Sequence, residues 1–191
     1  MTSRESLIEA IQNYSTAYPE EVVFIPRFIE LLSQQDCFQR NHMPGHITGS
    51  AWIVNESATK VLMVKHSALL RWLQPGGHAD GEENVLNTAR REAFEETGLS
   101  NLTLVGNGFA DLDIHPIPAK HNFPAHDHYD IRFLFIGDER QELRISDEST
   151  DLRWIELEHL ERYTTERSVL RLREKSLSGV LADRTAGASK V

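Results

Sequence analysis

The 191-residue chain has a single cysteine, Cys37, so no disulfide can close within it, which suits a reducing cytoplasm. Cys37 itself reads as a small buried apolar residue. Long apolar runs are missing too, and nothing approaches the roughly 18–20 residues of a membrane-spanning helix. The opening residues MTSRESLIEAIQ lack the basic-then-apolar order of a secretory leader. Positive charge is in deficit: 20 Lys and Arg stand against 29 Asp and Glu, for a net charge of −9. There is no dense Lys/Arg cluster and no interleaving of aromatic with basic residues, so broad contact with nucleic-acid backbone is not expected. A small phosphorylated substrate stays compatible with this charge, because a bound cation neutralises carboxylates locally. Repeats and low-complexity blocks are absent. At 40% apolar, the chain can bury one good core with room for a small accessory element.

The informative segment runs from Gly77 to Leu99, GHADGEENVLNTARREAFEETGL. Val85, Leu86, Ala89, Ala93 and Phe94 recur at helical spacing and predict a helix from about Asn84 to Thr97. Gly98 then supplies the positive φ that stops a helix. Glu92, Glu95 and Glu96 stand at i, i+3 and i+4, so three carboxylates project from nearly one face and repel one another. A hard divalent cation relieves that repulsion, since Mg²⁺ and Mn²⁺ favour carboxylate and water oxygens. Counted along the helix, Glu83 falls close enough to Arg91 for an ion pair that would steady the neighbouring glutamates. Glutamates on a helix are ordinarily a solvated face, but here two glycines, an arginine and a terminal glycine fall at fixed offsets as well.

The segment resembles the Nudix box, Gly-x5-Glu-x7-Arg-Glu-U-x-Glu-Glu-x-Gly-U with U apolar, and meets every specified position; Ala93 is a small residue where a larger apolar one is commoner. Looser similarity extends from about Thr48 to Leu160. The resemblance implies an α/β fold, the α/β/α sandwich with a mixed sheet of Nudix domains. It also implies a hydrolase that cleaves a diphosphate bond in a nucleoside diphosphate linked to another group. Glu92, Glu95, Glu96 and the Gly76 carbonyl would hold Mg²⁺ or Mn²⁺, with Gly77, Glu83 and Gly98 as structural positions and Arg91 as an orienting group. Family members often place an acid in the loop before the last strand as a further ligand or as the base. Asp147 and Glu148 both qualify, and Glu148 joins Glu92, Glu95 and Arg91 among the expected catalytic residues.

Two helices are expected before the domain, Ser3 to Tyr14 and about Pro19 to Gln35. Residues 1–41 read as a helical extension and 42–191 as the Nudix domain with its C-terminal helix. The extension is expected to be a cap on the core, a dimer contact that would make a homodimer, or part of the substrate wall. Strands are expected at about His46 to Val54, Lys60 to His66, Trp72 to Leu73, Tyr129 to Gly137 and Leu152 to Ile155, with Leu102 to Asp113 extended. Ile114 to Ala125, with Pro116, Pro118 and Pro124, reads as a stiff loop and a plausible lid. Leu157 to Leu177 reads as helical and Ala182 to Val191 as frayed. Trp52 and Trp72 are assigned to the core.

The second informative stretch is His121 to Phe135, HNFPAHDHYDIRFLF. His128, Asp130 and Arg132 alternate with Tyr129, Ile131, Phe133 and Phe135. The apolar row is core. The polar row is either a half-solvated strand end or a wall of the substrate cleft, with Arg132 open to a phosphate or carboxylate; a similar strand occurs in a subgroup of Nudix proteins. His121, His126 and His128 with Asp127 also raise a transition-metal site, although their spacing is no standard zinc signature.

Two other classes share this fold: isopentenyl diphosphate isomerases and nucleotide-sensing Nudix domains without catalysis. No catalytic cysteine segment of the isomerase kind is evident. The intact box and the absence of space for a second full domain disfavour sensing.

Overall fold

The computed structural model describes residues 3–67, 69–120 and 123–178. The expected fraying of residues 182–191 and the role considered for His121 fall outside them. Helices α1 (Arg4–Gln12) and α2 (Pro19–Leu32) come first. Ser3 caps α1 reciprocally with Ser6, and Pro19 opens α2 where a missing N–H costs nothing. Then follow β1 (Gly45–Asn55), β2 (Lys60–His66), β3 (Trp72–Leu73), β4 (Gly76–His78) and α3 (Val85–Thr97). Strands β5 (Thr103–Leu104), β6 (Asp111–Ile117), β7 (His126–Gly137) and β8 (Ser149–Glu156) precede a 3₁₀ helix (Leu157–Arg162) and α4 (Arg167–Leu177). No helix among the described residues is long and apolar enough to cross a membrane.

All eight strands join one mixed sheet. Its centre is the parallel pair β1–β7, in register from Gly45 opposite Asp127 to Asn55 opposite Gly137. The other pairings are antiparallel: β2 and β4 with β1, β6 and β5 with β7, and β3 and β8 with β2. Every residue of β1 is buried, as expected of a strand covered on both faces.

Side-chain alternation divides the interior into two cores. Ile47, Ala51 and Ile53 of β1 and Ile131, Phe133 and Phe135 of β7 pack with α1, α2 and α3 through Leu7, Ile11, Phe28, Leu32, Val85, Ala89 and Ala93. On the opposite face, Trp52, Val54 and Leu134 pack with Leu157, Leu160, Val169 and Leu172 from the 3₁₀ helix and α4. The sheet is therefore layered between helices, an α/β/α arrangement in which α1 and α2 share a core with the sheet. Trp52 and Trp72 are buried.

Three local expectations are corrected. The extended stretch ending at Asp113 is broken, because strand pairing covers only Thr103–Leu104 and then resumes at Asp111. The stiff loop begins later than Ile114: β6 runs through Pro116 to Ile117, paired with residues 126–129 of β7. As an edge strand, β6 can hold a proline whose missing donor is not needed on its unpaired side. The C-terminal helical stretch is two pieces, with residues 163–166 between them.

Candidate active site

Strand β4 and helix α3 build the carboxylate group. A Cβ on Gly77 would lie 2.6 Å from the Glu92 carboxyl carbon, so only glycine lets the helix side chains come this close to the strand. The Gly76 N–H donates to Glu96 Oε1 at 2.8 Å. Gly98 ends α3 at φ 78°, in the left-handed region that favours glycine.

Arg91 Nη1 donates to Glu92 Oε1 at 2.7 Å and to Glu95 Oε2 at 3.1 Å, and its Nη2 donates to the His78 carbonyl at 2.7 Å. The guanidinium thus ties two glutamates to the end of β4. Glu83 is not its partner, contrary to the expectation from helical spacing. The helix begins at Val85, so Glu83 lies in the preceding loop, where counting 100° per residue no longer applies. Its Oε1 receives Arg4 Nη2 of α1 at 2.8 Å instead.

Burial pushes the Glu92 carboxyl above the usual range, against the pull of Arg91. Glu96 is pushed up to about 8, first by burial and then by the charges of Glu92, Glu148 and Glu95, with the Gly76 N–H opposing. Glu148, exposed in the loop before β8, adds its charge to both glutamates. The group is a concentration of negative charge offset by one arginine and one N–H. Its oxygen donors suit a hard divalent cation.

The polar row of β7 lies elsewhere. Arg132 is 2% exposed, so neither a solvated strand end nor an open phosphate contact describes it. Its Nε donates to Asp130 Oδ2 at 2.7 Å, and its Nη2 donates to Asp113 Oδ2 at 3.0 Å and to Ser168 Oγ at 3.2 Å. Arg171 of α4 donates to both oxygens of Asp111 at 2.8 Å, and Lys175 bridges Asp111 Oδ2 and Glu21 Oε1 at 2.7 and 2.8 Å. Asp130 also accepts from Thr48 and Ser50. Burial alone would raise Asp113, but Arg132, His115 and Arg171 hold it far below the carboxylate range. α4 covers this face of the sheet and supplies the countercharges. Arg171 and Lys175 were not foreseen, since cations on a terminal helix ordinarily read as solvated.

Beside this network, His128 stands among histidines from four strands. Ring centroids of His46 and His78 lie 5.0 and 4.9 Å from its own, and that of His115 lies 5.5 Å away. Burial, followed by the neighbouring imidazoles and Arg40, holds His78 down to about 4; burial and the other histidines hold His128 lower still. His78 was absent from the expected site, because its proximity depends on the β4–β1 pairing. Cys37 is buried, which pushes its thiol up to about 11 and leaves it protonated at neutral pH.

With fold and geometry in place, comparison with known proteins agrees. A family model for the NUDIX domain matches residues 44–173, more than half of the chain. The chain belongs to this family and is a Nudix hydrolase. Hydrolases of the family generally depend on a divalent metal. It is 28% identical over 139 residues to a Lactococcus lactis subsp. cremoris protein named "Probable DHNTP pyrophosphohydrolase", covering 72% of this chain and 81% of that protein. A human protein named "Nucleoside diphosphate-linked moiety X motif 6" is 40% identical over 67 residues, covering 32% of this chain and 21% of that protein. Among solved structures, the E. coli dihydroneopterin triphosphate pyrophosphohydrolase superposes with a TM-score of 0.58 at 16% identity, covering 68% of this chain and 92% of that one, a likeness of fold.

Proposed function

We propose that the chain hydrolyses a phosphoric anhydride bond in a nucleoside diphosphate linked to another group, with a divalent cation held by Glu92, Glu95 and Glu96. The observation that carries this reading is the close approach of α3 to β4, where Glu92 lies against Gly77 and Glu96 accepts the Gly76 N–H, with burial first and the neighbouring carboxylates second raising both groups. Mg²⁺ or Mn²⁺ in such a site offsets phosphate charge and lowers the pKa of a bound water. The Gly76 carbonyl is a further candidate ligand. Arg91 keeps Glu92 and Glu95 oriented through its bonds to both. Glu148 accepts the proton of the attacking water, since an exposed carboxylate can pass that proton on to solvent. The water oxygen bonds to phosphorus as the bridging P–O bond breaks, leaving two phosphorylated products.

The names of the relatives favour a second substrate form, a triphosphate such as dihydroneopterin triphosphate that releases pyrophosphate. A panel of nucleotide sugars, dinucleoside polyphosphates, ADP-ribose, nucleoside triphosphates and dihydroneopterin triphosphate, each with Mg²⁺ and with Mn²⁺, separates the two by product analysis. Turnover should fall at least ~100-fold in Glu92→Gln and Glu96→Gln. Near-normal turnover in both variants would overturn the assignment.

A further inference from the structure

The histidines lie on the other side of β4 from the carboxylates. Successive residues of a strand face opposite ways, so Gly77 is turned toward Glu92 and His78 toward the face that α4 covers. Strand register assembles the rest: His46 pairs with His128, His115 pairs with His128 from β6, and His78 pairs with Thr48, two residues along from His46. One nitrogen from each of His46, His78 and His128 lies within 4.8 Å of the other two.

We propose that His46, His78 and His128 form a binding site for one divalent transition cation of the Zn²⁺ class, separate from the glutamate group. His46 carries the argument furthest. The residue is 0% exposed, and its Nδ1 donates to the His42 carbonyl at 3.3 Å, which places the lone pair on Nε2. That Nε2 is buried with no hydrogen-bond partner among the described residues. A buried acceptor left unpaired is costly, and a cation would satisfy it.

Two flanking histidines are likewise anchored through Nδ1. His126 Nδ1 donates to the Pro124 carbonyl at 2.9 Å, so its Nε2 lone pair points toward His128 Nε2, 3.3 Å away. His115 is held through Nδ1 by Asp113 at 3.0 Å, and Arg132 and Arg171 pin Asp113 in turn. Metal-ligating histidines are oriented in this way, with the other ring nitrogen bonded to a carbonyl or carboxylate. Nitrogens on a tetrahedral Zn²⁺ stand about 3.4 Å apart, so the 4.8 Å spread needs a contraction of roughly 1–1.5 Å. Three imidazoles leave a fourth position for His126 or water. Neutral nitrogen donors select Zn²⁺ and its neighbours over Mg²⁺, the reverse of the glutamate group's preference.

The test is titration of the full, metal-stripped chain with Zn²⁺ in excess Mg²⁺, followed by isothermal calorimetry. The expected result is one Zn²⁺ per chain, an affinity at least ~10-fold weaker in His78→Gln and His128→Gln, and no change in Glu92→Gln. Zinc-edge X-ray absorption on the unmodified chain should show three or more imidazole nitrogens. No uptake overturns the proposal, as does an oxygen-only shell, binding lost in Glu92→Gln, or wild-type affinity in both folded histidine variants. Because the absorption measurement needs no variant, it decides the matter even where a histidine substitution prevents folding.

Discussion

Arg132 Nε stands 2.7 Å from Oδ2 of Asp130, two residues away on the same face of the same strand. Asp130 in turn accepts from Ser50 Oγ at 2.8 Å, so the pair fastens β7 to β1 while Asp111, Asp113 and Arg171 fasten both to α4. The guanidinium's charge is spent inside the protein.

Arg132→Ala should therefore act on stability before kinetics. Removing one member of a buried ionic network leaves uncompensated carboxylates, at a cost of about 3–5 kcal/mol. Urea unfolding should show that loss. A variant of normal stability with a raised KM would return Arg132 to the substrate wall.

Glu96 makes the metal-free protein pH-sensitive. Its folded pKa, about 8, lies above its ordinary 4.5. The protonated form is thus favoured by folding. This contribution is complete below pH ~4.5 and is lost as the pH climbs through about 8. Melting temperature in chelator should fall across that window, and Glu96→Gln should flatten this part of the slope. Mg²⁺ affinity should rise over the same range, because binding displaces the Glu96 proton. Equal slopes in the two proteins would show that Glu96 ionises normally.

The two acids before β8 should separate kinetically. Glu148→Gln should lower kcat by ~100-fold, at the low end of general-base effects. Asp147→Asn should leave kcat within about twofold. Steady-state rates on the best substrate at saturating Mg²⁺ measure both, and the opposite ranking would move the base to Asp147.

Arg91 and Glu83 should behave as members of different contacts. Arg91→Ala frees Glu92 and Glu95 and should weaken Mn²⁺ binding at least ~5-fold. Glu83→Ala releases only Arg4, in a partly exposed pair, and should cost no more than about 1 kcal/mol with Mn²⁺ affinity unchanged. Calorimetry with Mn²⁺ on the two variants distinguishes them.

The box helix was legible in the sequence because its determinants are local. The apolar spacing from Val85 to Ala93, the clustering of Glu92, Glu95 and Glu96, and the stop at Gly98 all depend on residues within a few turns of one another, whereas Phe94, counted on the same apolar face, is exposed. The family and the layered α/β fold followed from that segment and from the alternating strands. The first helix and strands β1, β2, β3, β7 and β8 were placed to within a few residues for the same reason, whereas β4 and the course of β6 were not.

Tertiary structure alone decided what the alternating polar residues do. A period of two specifies that His128, Asp130 and Arg132 share a face, but not what covers it. The cover is α4, whose Arg171 and Lys175 come from more than 35 residues further along the chain. The same holds for the histidines, which meet only because β1 and β7 run parallel in one register and β4 lies beside β1. It holds for Glu83 as well, whose partner is Arg4, at the other end of a 79-residue separation. Local periodicity sets which way a side chain points. Long-range pairing sets what it meets, and burial then determines whether a charge faces water or another charge.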